Sequence, residues 1–150
     1  MSWWLSIAAV QMRRQLNLRF PARDRASDGA VGDTAHSARK SDHNPASDSV
    51  PPGCVRAIDI DKDLLGFEIE NPPNVMAQLV EALRVLGPKD PRLKYVIYEA
   101  RICGRVDGWK EWRPYAGSNA HRHHAHVSFT SLGDADGRPF DLPLLNEVSI

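Results

Sequence analysis

Histidines are the side chains of this 150-residue sequence best suited to chemistry, and they are concentrated in one segment. Four of the six histidines lie within residues 121–126. Histidine is the commonest metal-ligating side chain and the usual proton carrier near neutral pH. The cluster therefore points to a metal site, to acid–base chemistry, or to both.

Two of these histidines, His124 and His126, begin a segment of alternating polar and apolar residues, HAHVSFT (residues 124–130). Such alternation is typical of a half-buried strand, in which residues i and i+2 point to one side about 6.6 to 7 Å apart. Both imidazoles could then enter one pocket, one on a metal and one beside it. His121 is expected above that pocket, and His123 on the opposite face or in the turn. The competing interpretation is a surface tract that binds metal incidentally.

A catalytic zinc ion needs three protein ligands and one open position, so one strand histidine must be joined by two ligands from elsewhere. His43 and Asp59 are the best candidates. His43 lies in a rigid polar turn, SDHNP, and Asp59 lies inside an apolar segment, where an unpaired carboxylate is costly. The structural alternatives are a loop role for His43 and a salt bridge from Asp59 to one of Arg56, Lys94 and Arg101.

Three strands are predicted to position these residues. VRAIDI (residues 55–60) is β-branched and predicts a buried strand with Val55, Ala57 and Asp59 on one face. LKYVIYEARI (residues 93–102) predicts a central strand, and the histidine strand is the third. Two helices are expected, from Trp3 to about Leu18 and from Val75 to Leu86, the second with start signals at Asn71–Asn74 and Gly87 as its stop.

The elements predict one α+β domain over residues 1–150, with a small, mainly antiparallel sheet and helices on one face. Residues 21–53 are expected to be irregular, with a helical turn near Thr34–Arg39. The chain is long enough to bury one core, and no apolar run approaches the roughly 18 residues of a membrane span. Nineteen basic and nineteen acidic residues balance, so neither nucleic acid nor membrane insertion is expected.

The first residues do not predict a signal peptide, because no cation precedes the apolar start and Arg13 and Arg14 interrupt it. We therefore expect synthesis in a cytoplasm. Cys54 and Cys103 are too few for a disulfide scaffold or a four-thiolate zinc site. Free thiols are the expectation, with a bond between the two cysteines left open.

Several separated motifs resemble the zinc peptidases of the D-alanyl-D-alanine peptidase and hedgehog-like fold. They are Ser41-x-His43, AID (residues 57–59) and His124-x-His126. More narrowly, GDTAHSARKSDHNP, VRAIDI, YVIYEARI and WRPYAGSNAHRHHAHVSF, with the opening helix, resemble the peptidase domain of endolysins from phages of actinobacteria. The likeness runs from about residue 5 to residue 130.

The resemblance implies that His43, Asp59 and His126 bind zinc and that the chain hydrolyses a peptide bond of bacterial peptidoglycan. The expected bond is L-alanyl-D-glutamate or one next to a D-amino acid. It also implies synthesis in the host cytoplasm, action on the wall at phage lysis, and a monomer. No wall-binding repeat is visible, so the domain acts alone or is the catalytic part of a longer protein.

Two departures from the family pattern matter. Asp59 follows His43 by sixteen residues, a longer spacing than the family's, which leaves Asp61 as a rival ligand. Many members also have a catalytic glutamate three residues before the last histidine, where this chain has His123. The sequence instead resembles the HxxHxH branch of murein endopeptidases, in which histidines take the acid and base roles. His124 and His121 inherit that role, with His124 favoured.

Other site roles follow from peptide hydrolysis. The tetrahedral oxyanion needs a second positive group besides zinc, and Arg39 or Arg101 is the candidate. Tyr115 could line the substrate groove, or simply pack. Two other functions stay open, a zinc-binding module without catalysis and an HNH-type nuclease, the latter because DHNP (residues 42–45) is similar to its histidine element.

Overall fold

The structure is a computed structural model that describes residues 2–30, 41–66, 75–117 and 119–146. The helical turn expected near Thr34–Arg39 and the helix start signals at Asn71–Asn74 lie outside the described residues.

A five-stranded sheet with antiparallel neighbours throughout carries the fold. In spatial order its strands are β3 (Ala57–Asp61), β7 (His124–Phe129), β4 (Leu93–Tyr98), β5 (Arg101–Gly104) and β6 (Arg113–Pro114). A parallel pair joins β1 (Trp4–Leu5) to β2 (Cys54–Val55). The α-helices of the described residues are α1 (Ile7–Arg19), α2 (Val75–Leu86) and α3 (Pro143–Asn146), and none is long and apolar enough to cross a bilayer. The α+β class with a mainly antiparallel sheet is confirmed.

The two faces of the sheet differ in polarity. On one face Val127 of β7 lies between Ile58 of β3 and Val96 of β4, and all three belong to the buried cluster that α1 and α2 complete. On the other face Asp59 lies directly opposite His126. The alternation predicted for the histidine strand is therefore confirmed. The hydrophobic core and the two long helices lie on the opposite face of the sheet from the histidines.

Residues 93–102 form a hairpin, so the prediction of a single central strand is wrong. Glu99 and Ala100 turn the chain with φ values of 52° and 60°. Positive φ at both central positions is what a two-residue type I′ turn requires, and Asn-Gly is its usual signal. A Glu-Ala pair gives no such signal. The turn is held by its neighbours, because the Glu99 N–H donates to the His121 carbonyl (3.1 Å) and the Ala100 N–H to the Ala120 carbonyl (2.8 Å).

Two predicted boundaries also change. The first helix begins at Ile7 instead of Trp3, because the Trp4 N–H donates to the Gly53 carbonyl (3.1 Å) and keeps this segment extended. The strand predicted over residues 55–60 is interrupted at Arg56, whose N–H donates to the Asp42 carbonyl (3.1 Å). This second bond holds the turn that contains His43 against the sheet.

Both cysteines are free thiols, as expected from the sequence. Cys54 and Cys103 are fully buried. Burial raises the pKa of Cys54 to about 12 and that of Cys103 to about 11. The two sulfurs are therefore protonated packing groups and take no part in the histidine cluster.

Candidate metal centre

His43 is presented to the sheet by its turn. Its backbone N–H donates to the Ser41 hydroxyl (3.2 Å), and its ring Nδ1 lies in hydrogen-bond contact with the Ala30 carbonyl. A carbonyl oxygen can only accept, so this contact places a proton on Nδ1 and makes Nε2, which faces Asp59, the nitrogen that can bind a metal. A backbone acceptor of this kind commonly orients metal-binding histidines.

Asp59 and His126 come from neighbouring strands and face each other directly in the register. The His126 Nε2 lies 2.7 Å from the Ser128 hydroxyl, and Tyr95 stacks on the imidazole with ring centroids 5.3 Å apart. If Nε2–H donates to Ser128, the His126 Nδ1 presents a lone pair toward Asp59 and His43. Tyr95 and Ser128 therefore fix the plane of the ring, and the Ser128 hydroxyl can accept the hydrogen bond from Nε2–H that leaves Nδ1 free to bind a metal.

Three ligand atoms converge at one point. The His43 Nε2 lies 3.1 Å from Asp59 Oδ1 and 3.0 Å from His126 Nδ1, and the last two atoms are 3.3 Å apart. Tetrahedral zinc with bonds of about 2.0 to 2.1 Å separates its ligand atoms by roughly 3.3 to 3.4 Å. A proton can be shared between only two of these atoms, whereas a metal ion can bind all three at once. The His43–Asp59–His126 group could thus hold a metal ion.

The pKa values in this group fit the same conclusion. Burial raises the pKa of Asp59, but hydrogen bonds to His126 and His43 outweigh it and hold this pKa well below its usual range. Burial lowers the pKa of His126. Burial also acts to lower the pKa of His43, but the hydrogen bond and charge of Asp59 raise it above its ordinary value. A carboxylate and a neutral His126 are ready for a cation, and His43 must release a proton to admit one.

Two further histidines lie on the other side of Asp59. The His124 Nε2 is 3.6 Å from Asp59 Oδ2, and the His121 ring meets His124 and His126 edge to face, at centroid distances of 5.0 and 5.4 Å. Burial and electrostatic repulsion between this imidazole and those of His126 and His124 lower the pKa of His121 to about 4. The structure thus gathers three of the four clustered histidines around one carboxylate, while His123 is exposed.

Asp61, the rival ligand, is occupied elsewhere. It accepts hydrogen bonds from the Ser27 hydroxyl (2.6 Å), the Ser27 N–H (3.1 Å) and the Asp63 N–H (2.9 Å). These bonds fix the loop after β3. The histidines therefore meet Asp59, and Asp61 has a structural role.

Of the three cations considered as partners of Asp59, two pair with other acids. Arg56 binds Asp134 (2.7 Å) and also Asp48, and Lys94 binds Asp42 (2.8 Å). The third, Arg101, is opposite Tyr98 in the register and so belongs to the apolar face of the sheet. Its guanidinium lies over Trp112, 5.5 Å from the ring centroid.

Of the three remaining candidate site residues, Arg101 and Tyr115 differ in how close they lie to the histidines. Arg101 lies on the face of the sheet opposite the histidines by strand parity, so the structure does not bring it into the cluster, and its contact with a substrate stays a prediction. Tyr115 is half-buried beside the cluster, with its ring 5.8 Å from His121. Arg39 lies outside the described residues.

Two residues of the centre received no role from the sequence. Ser128 was visible on the polar side of the histidine strand, but its bond to His126 depends on the rotamer. Tyr95 lies within a strand of apolar residues, and its stacking on His126 depends on the pairing of β4 with β7. A cavity of about 550 Å³ extends from Tyr95 past Ile102 and Gly104 on this face.

No family model matches this chain, and comparisons with curated proteins and with solved structures give no significant match. Functional inference therefore depends on the geometry of the centre and on the motifs.

Substitution of Ser128 by alanine is expected to weaken metal binding about 10- to 100-fold, with zinc as the probe, because His126 loses the partner that orients its ring. The measurement is the zinc dissociation constant by competition with a chromophoric chelator. Ser6→Ala is the matched control, since Ser6 is equally buried and its hydroxyl donates to the Gly133 carbonyl (3.1 Å) away from the centre. Equal zinc affinity in both variants would contradict the orienting role.

Proposed function

We propose that this chain is a zinc-dependent peptidase of bacterial peptidoglycan, of the phage endolysin type and with the hedgehog-like peptidase fold. The observation that carries the proposal is the convergence of His43 Nε2, Asp59 Oδ1 and His126 Nδ1 within 3.3 Å of one another. Two neutral imidazoles and one carboxylate form a ligand set typical of hydrolytic zinc, which keeps a further position open.

The role of each residue follows from its position. His43, Asp59 and His126 would hold the ion, which when bound supplies Lewis acidity that makes water more nucleophilic and polarises a carbonyl. His124, next to Asp59, takes the proton of the attacking water and returns it to the leaving amine. His121, packed edge to face on His124, is the alternative proton carrier.

The substrate class rests on the resemblance to the peptidase domain of actinobacteriophage endolysins. Three features support it here: the ligand set, the HxxHxH arrangement and the open polar face beside β4. The proposed bond is L-alanyl-D-glutamate of the stem peptide. The proposed site of action is the cell wall, reached after synthesis in the host cytoplasm.

The decisive experiment is mass analysis of fragments released from purified peptidoglycan by the zinc-loaded chain. We expect new amino termini, at D-glutamate if the proposed bond is cleaved, and no new reducing sugar ends. A chain that binds zinc but releases no fragments would be a non-catalytic module. Cleavage of plasmid DNA without peptide release would favour the nuclease alternative.

A pair of isosteric substitutions separates the two aspartates. Asp59→Asn is expected to lower zinc affinity by at least about 100-fold, because the ion loses its anionic ligand. Asp61→Asn is expected to retain zinc and to reduce the free energy of unfolding, since its carboxylate binds Ser27 and Asp63. Metal analysis and thermal unfolding measure the two effects. The reverse pattern would make Asp61 the ligand.

A further inference from the structure

We infer that Asp59, His121 and His124 form a second site for a divalent transition metal, and that Asp59 is shared between the two sites. One ring nitrogen of each histidine and a carboxylate oxygen of Asp59 lie within 4.8 Å of one another. Imidazole and carboxylate together suit zinc and its neighbours in the first transition series.

The two oxygens of Asp59 face different partners. Oδ1 lies 3.1 Å from His43 Nε2 and 3.3 Å from His126 Nδ1, which accounts for the first site. Oδ2 lies 3.6 Å from His124 Nε2. One carboxylate can therefore serve both groups, as in hydrolases whose paired metals lie about 3.5 to 4 Å apart.

Two buried ring nitrogens without a hydrogen-bond partner among the described residues give independent evidence for a ligand at this second site. The Nδ1 of His121 and the Nε2 of His124 are buried and have no hydrogen-bond partner among the described residues. His121 as a whole is only 8% exposed. Buried polar atoms are nearly always satisfied, so two orphaned nitrogens in adjoining rings call for a shared partner. A cation bound to Asp59 would satisfy both.

The second site has a functional consequence that rests on the proposed function. A metal bound to the Nε2 of His124 occupies the lone pair that this histidine needs to accept a proton. The second metal and hydrolysis therefore exclude each other. Zinc in excess of one equivalent is inhibitory, and zinc at one equivalent is activating.

The test is equilibrium dialysis of the whole chain against graded zinc concentrations, with bound metal measured by mass spectrometry. Wild type is expected to bind two equivalents, one tightly and one more weakly. His121→Ala is expected to keep the tight equivalent and lose at least about tenfold in affinity for the weak one. The retained tight equivalent shows that the variant is folded. His123→Ala is the matched control, because His123 is exposed in the same segment, and it is expected to bind two.

A wild-type chain that saturates at one equivalent would overturn the second site, as would a His121→Ala variant that still binds two with unchanged affinity. Release of peptidoglycan fragments is followed in the same samples, and it is expected to fall as the second equivalent binds to wild type and to His123→Ala. A rate that is constant through this range would overturn the inhibitory role. Two bound equivalents with no hydrolysis at any zinc concentration would reject the proposed function and leave the second site standing.

Discussion

His126→Ala is expected to abolish tight zinc binding and to reduce peptidoglycan hydrolysis by at least about 1,000-fold, or roughly 4 kcal/mol of transition-state stabilisation. The substitution removes one of three converging ligand atoms and also the ring that Tyr95 and Ser128 hold in place. The remaining pair, His43 and Asp59, cannot fix an ion in the geometry that hydrolysis needs.

The measurement is metal content at a zinc concentration that fills only the tighter site, together with the rate of fragment release. His123→Ala is the control, because it removes an exposed imidazole from the same segment. A His126→Ala protein with one tightly bound zinc ion would mean that the three atoms described above are not the ligand set.

His124→Ala is expected to retain the tight zinc ion and still lose about 100- to 10,000-fold in kcat, the usual contribution of general acid–base catalysis. The His124 Nε2 is 3.6 Å from Asp59 Oδ2 and does not belong to the three-atom group. Removal of this imidazole therefore removes a proton carrier and leaves the ligands in place.

The comparison that assigns the base is between His124→Ala and His121→Ala, each assayed at one equivalent of zinc. A larger loss of kcat in His124→Ala supports His124 as the base. Hydrolysis by His124→Ala at the wild-type rate would reject that assignment, and a larger loss in His121→Ala would transfer the role to its neighbour.

The sequence predicted the parts of the centre that depend on local periodicity. Alternation in residues 124–130 placed His124 and His126 on one polar face, and the structure has them there. The cost of an isolated carboxylate in an apolar strand singled out Asp59 before any contact was known. Both predictions use only the types of the residues that are adjacent in the sequence.

The other features of the centre depend on contacts between residues far apart in the chain, which sequence periodicity cannot predict. Asp59 and Asp61 are two residues apart and lie on the same face, so alternation could not choose between them. The choice comes from Ser27, far along the chain, which occupies the carboxylate of Asp61. The face that Arg101 occupies was also beyond periodicity, since it depends on the turn at Glu99 and Ala100 that reverses the chain.

Two of the three ligand atoms come from strands that are direct neighbours, although Asp59 and His126 are far apart in the chain. Slippage of β3 by a single position would send its carboxylate to the side of the sheet where the helices pack. Metal affinity at this group would therefore report whether β3 and β7 are paired in the correct register. Under the proposed function, a misaligned chain would lose metal binding and hydrolysis together, and only chains with the correct register would be active.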